Sequence, residues 1–349
     1  MVHALLERGW PPGLTNSMAA SINAFPVRYV IVDNSGSMQS TDGQRLVKAP
    51  GSELWKSIAC TRWAELGDVV MEIGNVVTRL QAETHFHLLN PTPIGQYFSI
   101  ACPEEAQKSD VSLGRAGQPV DLTVLKSAME TSPTGSTPLT EAVQLVIRCI
   151  EPAAEQLRAN GQQAVVIIAS DGLPNEPATF LQALQLLQRL PVWLVVRLCT
   201  DEEEVVEYWD ELDRQLEAPL ETLDDVRGEA LEVHKLNPWL TYAPSLHLAR
   251  TVGMQDKLFD LLDEAALLPT QVRQLIERIV GCGELSEPEV EPEAFMSQVR
   301  QAVTALPAVY NPVSGKMTPW VDVTMLQRHL RRHSPAFRSS GKSSQCSVM

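Results

Sequence analysis

Apolar positions fall into two patterns along the chain. Short unbroken runs at 27–32, 164–169 and 192–196 read as strands buried on both faces of a parallel sheet. Between them lie longer stretches with three-four spacing. Leu66, Val69, Val70, Ile73, Val76, Val77 and Leu80 form one stripe of a long helix, which Ser52 and Glu53 would open. Leu139, Val143, Val146, Ile147 and Ile150 form a second stripe. Further helices are expected over 122–129, 178–190, 202–215 and 226–236, and a last strand over 220–225. Two short strands near 84–89 and 96–101, split by Pro91 and Pro93, read as a hairpin or a sheet edge. Residues 39–51 and 103–120 read as loops. Strands and helices alternating in this way predict an α/β fold: a doubly wound, mostly parallel sheet with helices on both faces.

After about residue 250 the strand pattern stops. Helices are expected over 254–280 with a break at Pro269, over 293–306, and over 322–332, with a loop at 312–319. The expected organisation is an N-terminal segment of weak pattern (1–25), the α/β domain (26–250), a helical extension (251–333) and a flexible basic tail (334–349). No apolar run approaches the roughly 18 residues that span a bilayer. The first ten residues lack the basic flank and apolar core of a secretion signal, so a cytoplasmic location is expected.

Charge changes the picture at one end only. The formal net charge is -15, yet no acidic residue follows Asp322, where Arg328, Arg331, Arg332, Arg338 and Lys342 do. Without those five, 23 basic residues face 43 acidic ones, a balance of -20. Such a body repels nucleic acid, whereas the tail suits an anionic surface. The six cysteines form no Cys-x-x-Cys pair; Cys60, Cys149 and Cys199 sit in apolar segments and read as small core residues.

The candidate chemistry lies just past the C-terminal ends of the predicted strands. Asp33-x-Ser35-x-Ser37 follows the first strand, Gly135-Ser136-Thr137-Pro138 precedes a helix, and Ser170-Asp171-Gly172 follows a later strand. Open α/β sheets place ligands at this rim. Carboxylates and hydroxyls at such spacing suit a hard cation. The three pieces, in this order, resemble the metal-ion-dependent adhesion site of von Willebrand factor A domains, over roughly residues 25 to 235. The resemblance implies direct ligation by the hydroxyls of Ser35 and Ser37, ligation by Thr137 directly or through water, and charge from Asp33 and Asp171 mostly through bound waters. Mg²⁺ is the expected ion, with Mn²⁺ or Ca²⁺ as substitutes. One coordination position would stay open for an exposed Asp or Glu of a protein partner. The implied function is a non-enzymatic interaction module of the intracellular kind. Alternatives are a metal-dependent hydrolase of phosphatase type, which would need a base or nucleophile beside the ion, and a scaffold whose metal site is vestigial; the bland reading of the hydroxyls is that they cap helices.

The chain closes on Cys346-Ser347-Val348-Met349, similar to prenylation signals of the C-a-a-X type. A lipid on Cys346 together with the basic lead-in would give reversible attachment to the cytosolic face of a membrane. His85-x-His87 places two imidazoles on one face of a strand, but no further zinc ligands can be placed from sequence, and exposed strand histidines are expected. The acidic run Asp201 to Glu204 would complement a helix dipole. Trp239 and Tyr242 read as a packing corner.

Overall fold

The computed structural model describes residues 2–48, 55–102, 118–200, 202–216 and 220–339. The tail end with Cys346 lies outside the described residues, as does most of the expected loop at 103–120. No helix among the described residues is long and apolar enough to cross a membrane.

Seven strands form the central sheet: β1 (Val27–Val32), β4 (Glu83–Leu88), β5 (Tyr97–Ile100), β6 (Gln118–Pro119), β7 (Ala164–Ser170), β8 (Val192–Leu198) and β9 (Glu221–Leu223). Their spatial order is β6-β5-β4-β1-β7-β8-β9. β1 lies parallel between β4 and β7, in register Val27 with Glu83 and with Ala164. Only the pairing of β5 with β4 is antiparallel, so the sheet is mixed but mostly parallel, as predicted for an α/β fold. All six residues of β1 are buried, which explains its unbroken apolar run.

Side chains alternate between two core layers. Val27, Tyr29, Ile31, Val166 and Ile168 pack against α5 (Leu139–Ile150), α7 (Pro177–Leu187) and α8 (Glu203–Gln215). Between α5 and β7 lies the short α6 (Ala154–Ala159). Val30, Val32, Phe86, Val165 and Ile167 face the other way, toward α3 (Arg62–Leu80), α4 (Leu122–Met129) and a group of helices from both chain ends.

The N-terminal segment is more ordered than its weak pattern predicts. α1 (Val2–Leu6) and α2 (Pro12–Ala24) bury Leu5, Leu14 and Met18 in that second layer. α2 crosses the later helix α12 (Pro269–Val280) so closely that a Cβ on Gly13 would lie 2.4 Å from the Arg278 carbonyl oxygen. The remaining C-terminal helices are α9 (Val226–Leu236), α10 (Pro244–Thr251), α11 (Lys257–Glu264), α13 (Pro292–Thr304), α14 (Val323–His333) and α15 (Ala336–Ser339). Arg250 on α10 ties them to the sheet through Glu221 of β9, Glu229 of α9 and Asp263 of α11, at 2.9, 2.8 and 3.2 Å.

Two segments differ from expectation. Where 39–51 reads as loop and the long helix is expected from Ser52, the chain makes an antiparallel hairpin, β2 (Gly43–Lys48) with β3 (Trp55–Cys60). α3 starts only at Arg62, capped by the Thr61 side chain on the Ala64 amide. β3 is exposed along most of its length, so no apolar alternation marks it. A second small hairpin, β10 (Val309–Asn311) with β11 (Lys316–Thr318), occupies part of the expected loop at 312–319. Trp239 and Tyr242 are buried, as a packing corner requires.

Candidate metal centre

β1 ends at Val32, and Asp33 continues its register, its amide bonded to the Ala169 carbonyl of β7. The chain then turns sharply through a 3-10 turn at Gly36–Gln39. Both oxygens of the buried Asp33 carboxylate are engaged: Oδ1 accepts from the Ser35 amide at 2.8 Å, and Oδ2 from the Ser170 hydroxyl at 2.5 Å. Burial raises the Asp33 carboxyl above its ordinary range; the bonds from Ser170 and Ser35 oppose that shift, and the charge of Asp171 adds to it.

Ser35, Ser37 and Asp171 meet although 134 positions separate Ser37 from Asp171. The two hydroxyl oxygens lie 2.9 Å apart, and the Ser37 hydroxyl donates to Asp171 Oδ1 at 2.9 Å. Thr137 borders the same place, its Oγ1 3.9 Å from where a Cβ on Gly172 would stand. The third loop is fastened at several points. The Gly36 amide donates to Gly135 oxygen at 3.1 Å and the Thr134 amide to Asn34 oxygen at 2.8 Å. Asn90 exchanges bonds with Asn34 and donates to the Ser136 carbonyl at 2.8 Å. Gly135 adopts φ +97, and a Cβ there would stand 2.5 Å from Asn90 Oδ1, so the position needs glycine. Asn175 clamps Thr137 from the far side, accepting from its amide at 3.2 Å and donating to its carbonyl at 3.3 Å. All five sequence-singled residues therefore stand at one rim of the sheet, with Ser37 exposed and Thr137 half-buried.

The spacing can be tested against an ion. Octahedral Mg²⁺ with ligands at about 2.0–2.1 Å puts neighbouring ligand oxygens about 2.8–3.0 Å apart; Ca²⁺ at about 2.4 Å would need about 3.4 Å. The two 2.9 Å separations match the smaller ion. They are also ordinary hydroxyl hydrogen bonds, so an ion would replace bridging protons without moving the oxygens far. An all-oxygen donor set with two carboxylates fits a hard divalent cation.

Sequence reasoning missed Arg62. Its guanidinium is buried at the first turn of α3 and donates to Asp171 Oδ2 at 3.0 Å. It also binds Asp42 at 2.5 and 2.8 Å and Glu202 at 2.6 Å. Those bonds hold the guanidinium firmly protonated, with Asp42 the largest contributor, and draw the Asp42 carboxyl below its usual range. Glu202 thus serves an ion pair as well as a helix start. Arg62 takes one oxygen of Asp171 and leaves the other to the hydroxyl cluster, so the two buried carboxylates carry net charge -1 with it. No local signal marks this residue, because its partners come from three distant loops. Ser170, within a singled-out motif, also acquires a role that its spacing did not reveal.

No family model matches the chain, and no curated protein matches it. Among solved structures, the chain is similar to manganese-loaded Plasmodium vivax TRAP protein, at 17% identity and a TM-score of 0.36, over 58% of this chain and 69% of that one. A match at that level carries no argument about the site, which stands on its own geometry.

Proposed function

We propose that this chain is a protein-interaction module that holds a divalent cation, Mg²⁺ before Mn²⁺ or Ca²⁺, at the rim of its sheet. Ser35, Ser37 and Thr137 would hold the ion through their hydroxyls, and Asp33 and Asp171 would balance its charge. The bound ion supplies an electrophilic position facing solvent, to which an exposed Asp or Glu of a partner protein adds its carboxylate. What supports the reading above all is the convergence of Ser35 Oγ, Ser37 Oγ and Asp171 Oδ1 in steps of 2.9 Å beside an exposed edge. The residues themselves orient and neutralise. Ser170 and the Ser35 amide fix Asp33, Asn90 and Asn175 fix the Thr137 loop, and Arg62 limits Asp171 to one free oxygen. The module is proposed to act without catalysing a reaction, and its acidic surface disfavours nucleic acid.

Isothermal titration with Mg²⁺ and capture from cell extract with and without EDTA test the reading. One equivalent of bound ion and a partner released by EDTA support it. No heat at millimolar Mg²⁺, or capture indifferent to EDTA and to Asp33→Ala, contradicts it. Tethering by a lipid on Cys346 is a separate proposal that rests on the sequence alone; incorporation of labelled farnesyl diphosphate, absent in Cys346→Ser, tests it.

A further inference from the structure

We propose a second metal site, of zinc type, formed by Glu83, His85 and Cys102 at the opposite rim of the sheet. Glu83 opens β4 beside Val27, the first residue of β1, whereas Asp33 follows the last, so the sites occupy opposite ends of the strands. The two imidazoles expected on an exposed strand face are buried: His85 is fully enclosed and His87 almost so. The ligands that sequence could not place are Glu83, two residues before His85 on the same face, and Cys102 beyond the end of β5. One donor atom from each lies within 4.8 Å of the other two.

Cys102 reaches this face through a break in alternation. In the β4–β5 register Ser99 pairs with His85 and Ile100 with Thr84, so a continued strand would aim residue 102 at the other face. Ala101 instead adopts φ +56, a left-handed conformation costing about 1 kcal/mol, and the thiol arrives beside Glu83 and His85.

The pointer to a ligand is the His85 ring. Nδ1 is 2.7 Å from the Ser99 hydroxyl, while the buried Nε2 makes no hydrogen bond among the described residues, although Glu83 Oε1 stands 3.3 Å away. With the proton on Nδ1, the ring donates to Ser99 and leaves an unpaired Nε2 lone pair beside a carboxylate. With the proton on Nε2, the N–H does not aim at that oxygen. A dication between them removes the conflict in the first tautomer, and the Ser99 bond is the partner that usually fixes a ligating histidine. A tetrahedral ion with N and O ligands at about 2.0–2.1 Å places them about 3.3–3.4 Å apart, the separation observed. The mixed N, O and S donor set favours Zn²⁺ over Mg²⁺. The thiol of Cys102 would release its proton to solvent on binding, and the fourth position remains for water or another side chain. His87, above His85, stacks edge-on with Tyr29 and Tyr97. Burial pushes its pKa down to about 3, so it stays neutral beside the ion.

Co²⁺ and Zn²⁺ added to the full chain carrying Asp33→Ala test the site with the hydroxyl cluster disabled. One equivalent of Co²⁺ should give tetrahedral visible bands and a thiolate charge-transfer band, both displaced by Zn²⁺. In the same chain Cys102→Ser should abolish the charge-transfer band and weaken Zn²⁺ binding about a hundredfold or more, with an unchanged unfolding midpoint in EDTA. Cys102 is half-exposed and His85 fully buried, so the cysteine variant is the one that keeps the core packing intact. Absence of the charge-transfer band at stoichiometric Co²⁺, or its survival in Cys102→Ser, overturns the proposal.

Discussion

Replacing Arg62 by Gln probes the electrostatics of the hydroxyl cluster from behind. The Arg62 side chain is 4% exposed, and that of its partner Asp171 is 0% exposed. Removing one member of such a pair leaves a buried charge uncompensated, which costs about 3–5 kcal/mol. The lower end applies, because Asp171 Oδ1 keeps its bond from Ser37. Asp42 and Glu202 are 53% and 60% exposed, so each lost pair adds less than about 1 kcal/mol. The expected loss in EDTA is about 3 kcal/mol, read from urea unfolding midpoints. Mg²⁺ should restore much of it. A dication one carboxylate away from a guanidinium, roughly 6 Å, is repelled by about 1.4 kcal/mol even under bulk-water screening, so the variant should bind Mg²⁺ about tenfold more tightly. An Arg62→Gln chain as stable as the parent in EDTA, or equal stabilisation of both proteins by millimolar Mg²⁺, would refute this role for Arg62.

Other substitutions separate charge, backbone and titration. Asp33→Asn can still accept from the Ser35 amide through Oδ1 and can donate through Nδ2 to the Ser170 oxygen, reversing that bond, so stability in EDTA should change by about 1 kcal/mol or less while the Mg²⁺-dependent rise in Tm disappears. Gly135→Ala places a Cβ against Asn90 at a positive φ, and should lower stability by more than about 1 kcal/mol and weaken Mg²⁺ binding in calorimetry. His87 has a folded pKa of about 3, below its ordinary value of 6.5. The unfolded chain takes up its proton first, so stability falls as pH drops from 6.5 toward 3, by up to about 1.4 kcal/mol per pH unit from this group. His87→Phe should flatten that limb of the pH–stability curve measured by urea unfolding.

The central strands were legible because burial on both faces leaves no choice but apolar residues: 27–32 and 164–169 are read almost to the residue. The polar cluster after each strand end was legible for the complementary reason, an abrupt change from core to rim. The hairpin of β2 and β3 carries no such contrast, since β3 is solvated along its length and its residues suit several conformations. The N-terminal helices hide because their packing partners are remote in sequence, α1 lying on α3 and α2 on α10 and α12 near the other end of the chain, a constraint with no local period. Arg62 and the Glu83–His85–Cys102 group share that cause: each joins residues whose proximity exists only after folding. His85 and His87 looked like surface residues because imidazoles alternate with Thr and Phe, yet the edge that β5 and β6 build over β4 encloses them.

The claim that three loops form one cation cage is tested most directly by anomalous diffraction from crystals soaked in Mn²⁺. The account predicts an anomalous peak bonded to the hydroxyls of Ser35 and Ser37, with Thr137 and the two carboxylates in or just behind its shell, and loss of that peak in Asp33→Asn. Saturating Mn²⁺ that leaves no peak among these residues would contradict it.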